Sequence, residues 1–178
     1  MKSLFKSHVK IFVLAASLLG AAGCASYSFH SSVPENLRTL SVPVFLNESE
    51  FPELNTIITQ YTLREIQREG TLKIMPPQKA ALILRGTLLS TRVEPVGLDR
   101  NYGSRANEYR YRVTVNIKLM YNDNARHERY LNKKVSASTT FLTQGDMLTG
   151  MRDAYHRIAK EISRSIVDAV LAELEGAE

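Results

Sequence analysis

A two-layer α+β domain, with two helices packed on one face of a mixed four-stranded sheet, is the fold this sequence predicts, and three observations predict it. Residues 109–121 show the cleanest period of two in the chain, two other segments carry apolar residues at helical spacing, and the segments follow one another as β-α-β-β-β-α. A chain of 178 residues, 44% of them hydrophobic, suits one globular domain rather than a disordered, collagenous or repetitive protein.

Before that domain comes a segment of a different kind. Residues 1–23 combine the basic residues Lys2, Lys6 and Lys10, an apolar run from Val9 to Leu19, and the small residues Gly20-Ala21-Ala22-Gly23 before Cys24. This is the layout of a secretory signal. The run is too short for the ~20 apolar residues that a bilayer core requires, so the segment is expected to be cleaved after export. Cys24 is the chain's single cysteine. In an oxidising compartment an unpaired thiol needs an explanation, and acylation at the new N-terminus supplies one. Ala21-Ala22-Gly23-Cys24 resembles a bacterial lipoprotein box, with Ala in place of the commoner Leu three residues before the cysteine. Ala25, rather than Asp, then implies sorting to the outer membrane by resemblance to the sorting rule of many bacteria. Residues 24–36, rich in Ser and containing Pro34, read as a lipidated tether, and residues 37–178 as the domain.

Within the domain, Leu40, Val42, Val44 and Leu46 share one face of a first strand. Pro43 cannot donate to a ladder, which predicts an edge position or a bulge. Pro52 suits the first turn of a helix running to Glu69, with Gly70 as its stop and Leu54, Ile57, Ile58 and Tyr61 as its core stripe. After Leu72–Met75 and Pro76-Pro77, residues 80–96 are rich in β-formers and read as a long strand, and Leu98–Asn107 as a polar loop. In the next strand Tyr109, Tyr111, Val113, Val115, Ile117, Leu119 and Tyr121 occupy the buried face, and Arg110, Arg112, Thr114, Asn116, Lys118 and Met120 the polar one. Asn122-Asp123-Asn124 supplies turn residues, residues 128–141 a last strand, and Asp146 a cap for a helix over 148–174 whose stripe is Met151, Tyr155, Ile158, Ile162 and Ile166. The first two long strands are expected to be parallel through the helical crossover, and the later ones to form an antiparallel meander. The second sheet face is left polar and uncovered.

Catalytic patterns are missing. No HExxH, CxxC, GxSxG, Walker A or GxGxxG sequence occurs, and His30, His127 and His156 have no neighbour at metal-ligand spacing. Neither a catalytic residue, a metal nor a cofactor is expected beyond the covalent lipid on Cys24. The +5 net charge falls to +2 without Lys2, Lys6 and Lys10, too little to argue for a nucleic-acid partner. Its distribution is more informative: residues 85–134 hold 11 basic and 5 acidic side chains, while residues 24–84 and 135–178 are each net negative. Arg100, Arg105, Arg110 and Arg112 stand out as groups that would grip phosphate or carboxylate, with Arg126, Arg129, Lys133 and Lys134 in the same stretch.

In order and spacing, several pieces of the chain resemble the lipopolysaccharide-assembly lipoprotein family, LptE. They are Tyr27-Ser28-Phe29 after the cysteine, Leu40-Ser41-Val42-Pro43-Val44-Phe45, Leu63-Arg64-Glu65 with Gly70, Ala81–Thr87, Asn107–Arg110 and Gly145-Asp146. The turn at Asn122–Arg126 lacks the Gly often found there in that family. The resemblance implies a non-enzymatic outer-membrane lipoprotein that plugs the LptD β-barrel, assists its assembly and binds lipopolysaccharide on its way to the outer leaflet. Arg100, Arg105, Arg110 and Arg112 are then the candidate lipopolysaccharide contacts, chosen from local charge. The alternative is a periplasmic lipoprotein that activates a peptidoglycan synthase or forms part of a secretion pore. A tether of about 12 residues keeps the domain close to the membrane and favours the first reading.

Overall fold

The computed structural model describes residues 33–99, 105–122, 129–143 and 147–176. The expected signal segment, Cys24 and most of the tether, together with Arg100, His30, His127, residues 123–128 and Gly145-Asp146, lie outside the described residues. Val33, at the end of the stretch read as tether, is buried, its carbonyl accepting from Arg38 Nε at 3.0 Å.

A short 3-10 turn at Glu35–Leu37 precedes β1 (Thr39–Ser41), β2 (Leu46–Asn47), α1 (Leu54–Glu69), β3 (Lys73–Ile74), β4 (Leu82–Asp99), β5 (Arg105–Tyr121), β6 (Arg129–Leu142) and α2 (Met147–Glu175). The strands form one sheet in the order β3-β1-β4-β5-β6, with β2 pairing β4. β1 is parallel to both β3 and β4, and β4, β5 and β6 form an antiparallel meander. The α+β class and the helix placement agree with the sequence reading. The sheet has six strands rather than four, because β2 and β3 are two-residue strands too short to show periodicity.

The first strand differs most from expectation. It does not run through Pro43; β1 stops at Ser41 and pairing resumes at Leu46. Nor is β1 at an edge, since it lies between β3 and β4. The break turns Phe45 inward, to 2% exposure, and leaves Val44 and Leu46 outside. Backbone groups that leave a ladder need other partners. Helix α1 supplies them: Phe45 N–H donates to Thr59 Oγ1 at 3.0 Å, and Asn55 Nδ2 donates to the Phe45 carbonyl at 2.6 Å. The Phe45 ring lies on Gly86 of β4, where an added Cβ would come within 2.5 Å of it. Helix α1 ends at Gly70, whose φ of 86° is the left-handed conformation glycine adopts without a Cβ penalty.

Both helices cover the same sheet face. Leu54, Ile58 and Ile66 of α1, and Met151, Ile158, Ile162, Ile166 and Val170 of α2, are buried over Leu82, Leu84, Leu88, Val113, Val115, Ile117 and Leu119. One polar contact joins the helices inside this layer. Thr62 Oγ1 donates to the Ile58 carbonyl at 2.9 Å and Ser163 Oγ to the same carbonyl at 3.2 Å, with the two hydroxyls 3.1 Å apart. These two buried hydroxyls thus each have a partner.

At the far end of the core Tyr111 is fully buried among Phe51 and Tyr155, with ring centroids 6.0 and 5.7 Å away. Its hydroxyl has no hydrogen-bond partner of good geometry among the described residues. Burial and the neighbouring Tyr155 push its pKa well above the ordinary tyrosine range, an effect the Thr91 side chain only partly offsets. A raised folded-state pKa favours the neutral form, so this contribution to stability is complete below the unfolded value of about 10 and lost as pH rises beyond it. Tyr111→Phe is therefore expected to narrow the loss of urea midpoint between pH 7 and pH 11. Tyr155, also raised by burial, retains part of that loss. An identical alkaline loss in the variant refutes the assignment.

Candidate functional site: the basic outer face of the sheet

Opposite the helices, β4, β5 and β6 present a polar face whose rows follow from strand register. In one row Arg85 is directly opposite Lys118, which is opposite Asn132. In another Arg92 is opposite Arg112, which is opposite Ser138. Like charges facing one another across a ladder destabilise a sheet, their Cβ atoms being only ~4.5–5.5 Å apart. Two such pairs on one face are an arrangement that an anion relieves. Arg85, Lys118, Arg92 and Arg112 are all exposed. The one ion pair among them joins Arg92 to Glu94 at 3.7 Å, an exposed contact of little strength among these described residues.

Between the two cationic rows runs a belt of hydroxyl and amide side chains. Thr114 and Ser136 place their hydroxyl oxygens 3.0 Å apart, and Asn116 Nδ2 donates to Asn132 Oδ1 at 3.1 Å. Lys134, opposite Asn116, adds a further cation. Lys118 and Arg112 are six residues apart on β5, so the rows are separated by ~20 Å at about 3.3 Å per residue. Beside the Arg85–Lys118 pair a groove of about 440 Å³ is walled on its other side by Pro43, Val44 and Leu46. Val44 and Leu46 are 63% and 67% exposed, so cationic and apolar surfaces adjoin.

Of the expected contacts, Arg110 and Arg112 are both on this face. Arg112 is exposed in the Arg92 row, whereas Arg110 is half-buried and faces Glu94 across the ladder. Arg105 is not in a loop: it is the first residue of β5, with its backbone paired to Asp99. Arg100 and Cys24 lie outside the described residues. Arg85, Arg92 and Lys118 belong to the site and were not among the candidates. Arg85 and Arg92 are seven residues apart, which by period two puts them on opposite faces. A register shift between Leu88 and Ser90 reverses the phase and returns Arg92 to the face of Arg85. The adjacent apolar pair Leu88-Leu89 is the sequence signal of that bulge.

No group of three or more His, Cys, Asp or Glu side chains among the described residues is placed to hold a metal ion. His156 is exposed, its Nδ1 3.4 Å from the Tyr61 hydroxyl.

Solved structures with this fold come from several bacteria. The hypothetical protein CT253 from Chlamydia trachomatis aligns with a TM-score of 0.56 at 10% identity, over 76% of this chain and 96% of that one. XCC0632 from Xanthomonas campestris aligns with 0.54 at 9%, over 76% and 84%. An uncharacterized lipoprotein B from Nitrosomonas europaea aligns with 0.52 at 14%, over 82% and 89%. At such identities the likeness is one of fold. No curated protein sequence matches the chain. The family model for lipopolysaccharide assembly, LptE, matches residues 37–170, which takes in every strand, α1 and most of α2. The chain belongs to the LptE family of lipopolysaccharide-assembly proteins.

Proposed function

We propose that this protein is an outer-membrane lipoprotein, anchored through acylated Cys24 on the periplasmic side, that binds lipopolysaccharide on the basic face of its sheet and seats in the lumen of the LptD β-barrel. The observation that carries this reading is the pair of like-charge rows, Arg85–Lys118 and Arg92–Arg112, on a face that neither helix covers. Phosphorylated glycolipids present several anionic groups together, which suits cationic rows repeated across one surface. The exposed Val44 and Leu46 beside Arg85 and Lys118 supply an apolar neighbour of the kind an acylated anion needs. A polar sheet face also suits the lumen of a large outer-membrane barrel, which is itself polar. The role is one of binding and assembly and requires no catalysis.

Two experiments test it. Solubilising outer membranes in mild detergent and recovering the C-terminally tagged protein is expected to yield one large β-barrel at equal stoichiometry. A peptidoglycan synthase or a homo-oligomeric ring in its place overturns the barrel partnership. The second uses the double charge reversal Arg92→Glu with Arg112→Glu. Because like charge still faces like charge, folding is expected to be unchanged while the sign of the row inverts. Lipopolysaccharide binding at low salt is expected to weaken at least tenfold, ~1.4 kcal/mol, with the thermal midpoint unmoved. Undiminished binding returns this face to ordinary solubilising charge.

A further inference from the structure

Besides the two-residue β3, two edges of the sheet are open among the described residues, and the sequence treats them differently. β2 pairs β4 only at Thr87 and Leu88, so the distal half of β4 has one neighbour among the described residues, β5. That edge is blunted: register shifts fall at Leu88/Ser90, Pro95/Gly97 and Gly97/Leu98, and Pro95 has no N–H to offer. The outer edge of β6 is also unpaired among the described residues. There the ladder to β5 is regular from Leu131 to Leu142, and the strand contains no proline. A long, regular edge without proline or bulge is a template for another strand.

Its orientation follows from one contact. Arg157 donates to the Thr140 carbonyl at 2.8 Å, so Thr140 turns its backbone away from β5. Alternation along an antiparallel strand then turns Lys134, Ser136 and Ser138 outward as well. Between the two ends the edge is small and uncharged, from Val135 to Thr139. Cations flank it: Lys133 and Lys134 at one end, and alongside Ser138 and Thr139 a groove of about 300 Å³ between β6 and α2 where Arg157, Lys160 and Arg164 outnumber Glu161. Arg164 also approaches Glu65 at 3.8 Å. We propose that the outer edge of β6 docks an extended, acidic-ended segment of a partner polypeptide, which joins the sheet as a further strand over Lys134–Ser138. A second copy of this chain fits poorly, because antiparallel pairing of two β6 edges brings Lys133 and Lys134 of each against Arg157 and Lys160 of the other. The site is the outer backbone edge of β6, next to the end of the Arg92–Arg112 row at Ser138, and its argument does not rest on lipopolysaccharide binding.

The probe is a fluorescent heptapeptide with Glu and Asp at its ends and alternating Val and Thr between them, titrated by anisotropy into the detergent-solubilised full-length protein. Saturable binding is expected, with slowed hydrogen exchange at the Ser136 and Ser138 amides. A counterpart with Lys at both ends is expected to bind at least tenfold more weakly, and added salt to erode the difference. Ser138→Pro removes an outward N–H without touching the ladder to β5, and is expected to weaken the acidic peptide at least tenfold. Lys134→Glu with Lys160→Glu, both exposed, is expected to do the same without reliance on a proline. Arg92→Glu with Arg112→Glu, which leaves the cations of the edge in place, is expected to weaken the peptide less than Lys134→Glu with Lys160→Glu. Absent binding, equal binding of the Lys-ended peptide, protection elsewhere, or a concentration-dependent dimer that protects β6 each overturns the proposal.

Discussion

Replacing Phe45 by Ala is expected to cost about 3–5 kcal/mol, read as a fall in the urea midpoint at unchanged slope. The ring is almost wholly buried, rests on Gly86, and belongs to a residue whose N–H and C=O are both held by α1. Its removal empties the seam between β4 and α1, where neighbouring backbone is already fixed and little collapse is available. Gly86→Ala addresses the same seam from the other side. With only 2.5 Å between the new Cβ and the ring, overpacking is expected to cost about 1–3 kcal/mol. Because the two residues touch, the double variant is expected to be more stable than the sum of the single losses implies. Strict additivity, or a Phe45→Ala loss under about 1 kcal/mol, contradicts this account of the seam.

The second large effect concerns location rather than folding. If Cys24 carries the proposed anchor, Cys24→Ala is expected to remove the protein from the membrane fraction almost completely while leaving the soluble domain's thermal midpoint unchanged. Each buried CH₂ of an acyl chain contributes ~0.8 kcal/mol, so several chains give an anchor that a globular domain without them cannot match. Fractionation reads the first outcome, and the mass of the mature N-terminus shows whether lipid is attached. Recovery of the variant in outer membranes at the normal level refutes the anchor.

What was legible in the sequence follows the strength of its periodic signals. Residues 109–121 alternate because one face is buried, and the structure buries Tyr111, Val113, Val115, Ile117 and Leu119 as that pattern requires. The stripe of Met151, Ile158, Ile162 and Ile166 is likewise the buried side of α2. Two-residue strands have no period to read, so β2 does not separate from the first strand and β3 does not stand out as a strand. The basic site was half legible. A charge excess over residues 85–134 locates it along the chain, and Arg112 lies in it. Its pairing was hidden, because the Arg92–Arg112 row depends on a one-residue bulge and on the register between β4 and β5, which loop length and packing set together.

The order of the strands also bears on how the chain assembles. From β4 to α2, elements adjacent in sequence are adjacent in space, while β1 lies between β3 and β4 and pairs with β4 across the intervening α1. Closing short loops costs less entropy than closing long ones, so the meander with α2 is expected to nucleate and β1 to be captured late. Mutations in β1 and at Phe45 should then mainly speed unfolding, and those in the β4–β5 hairpin mainly slow folding. The segment nearest the proposed anchor is thereby the last to be fixed, and the surface that faces outward from the meander is complete before the chain's own beginning has found its place.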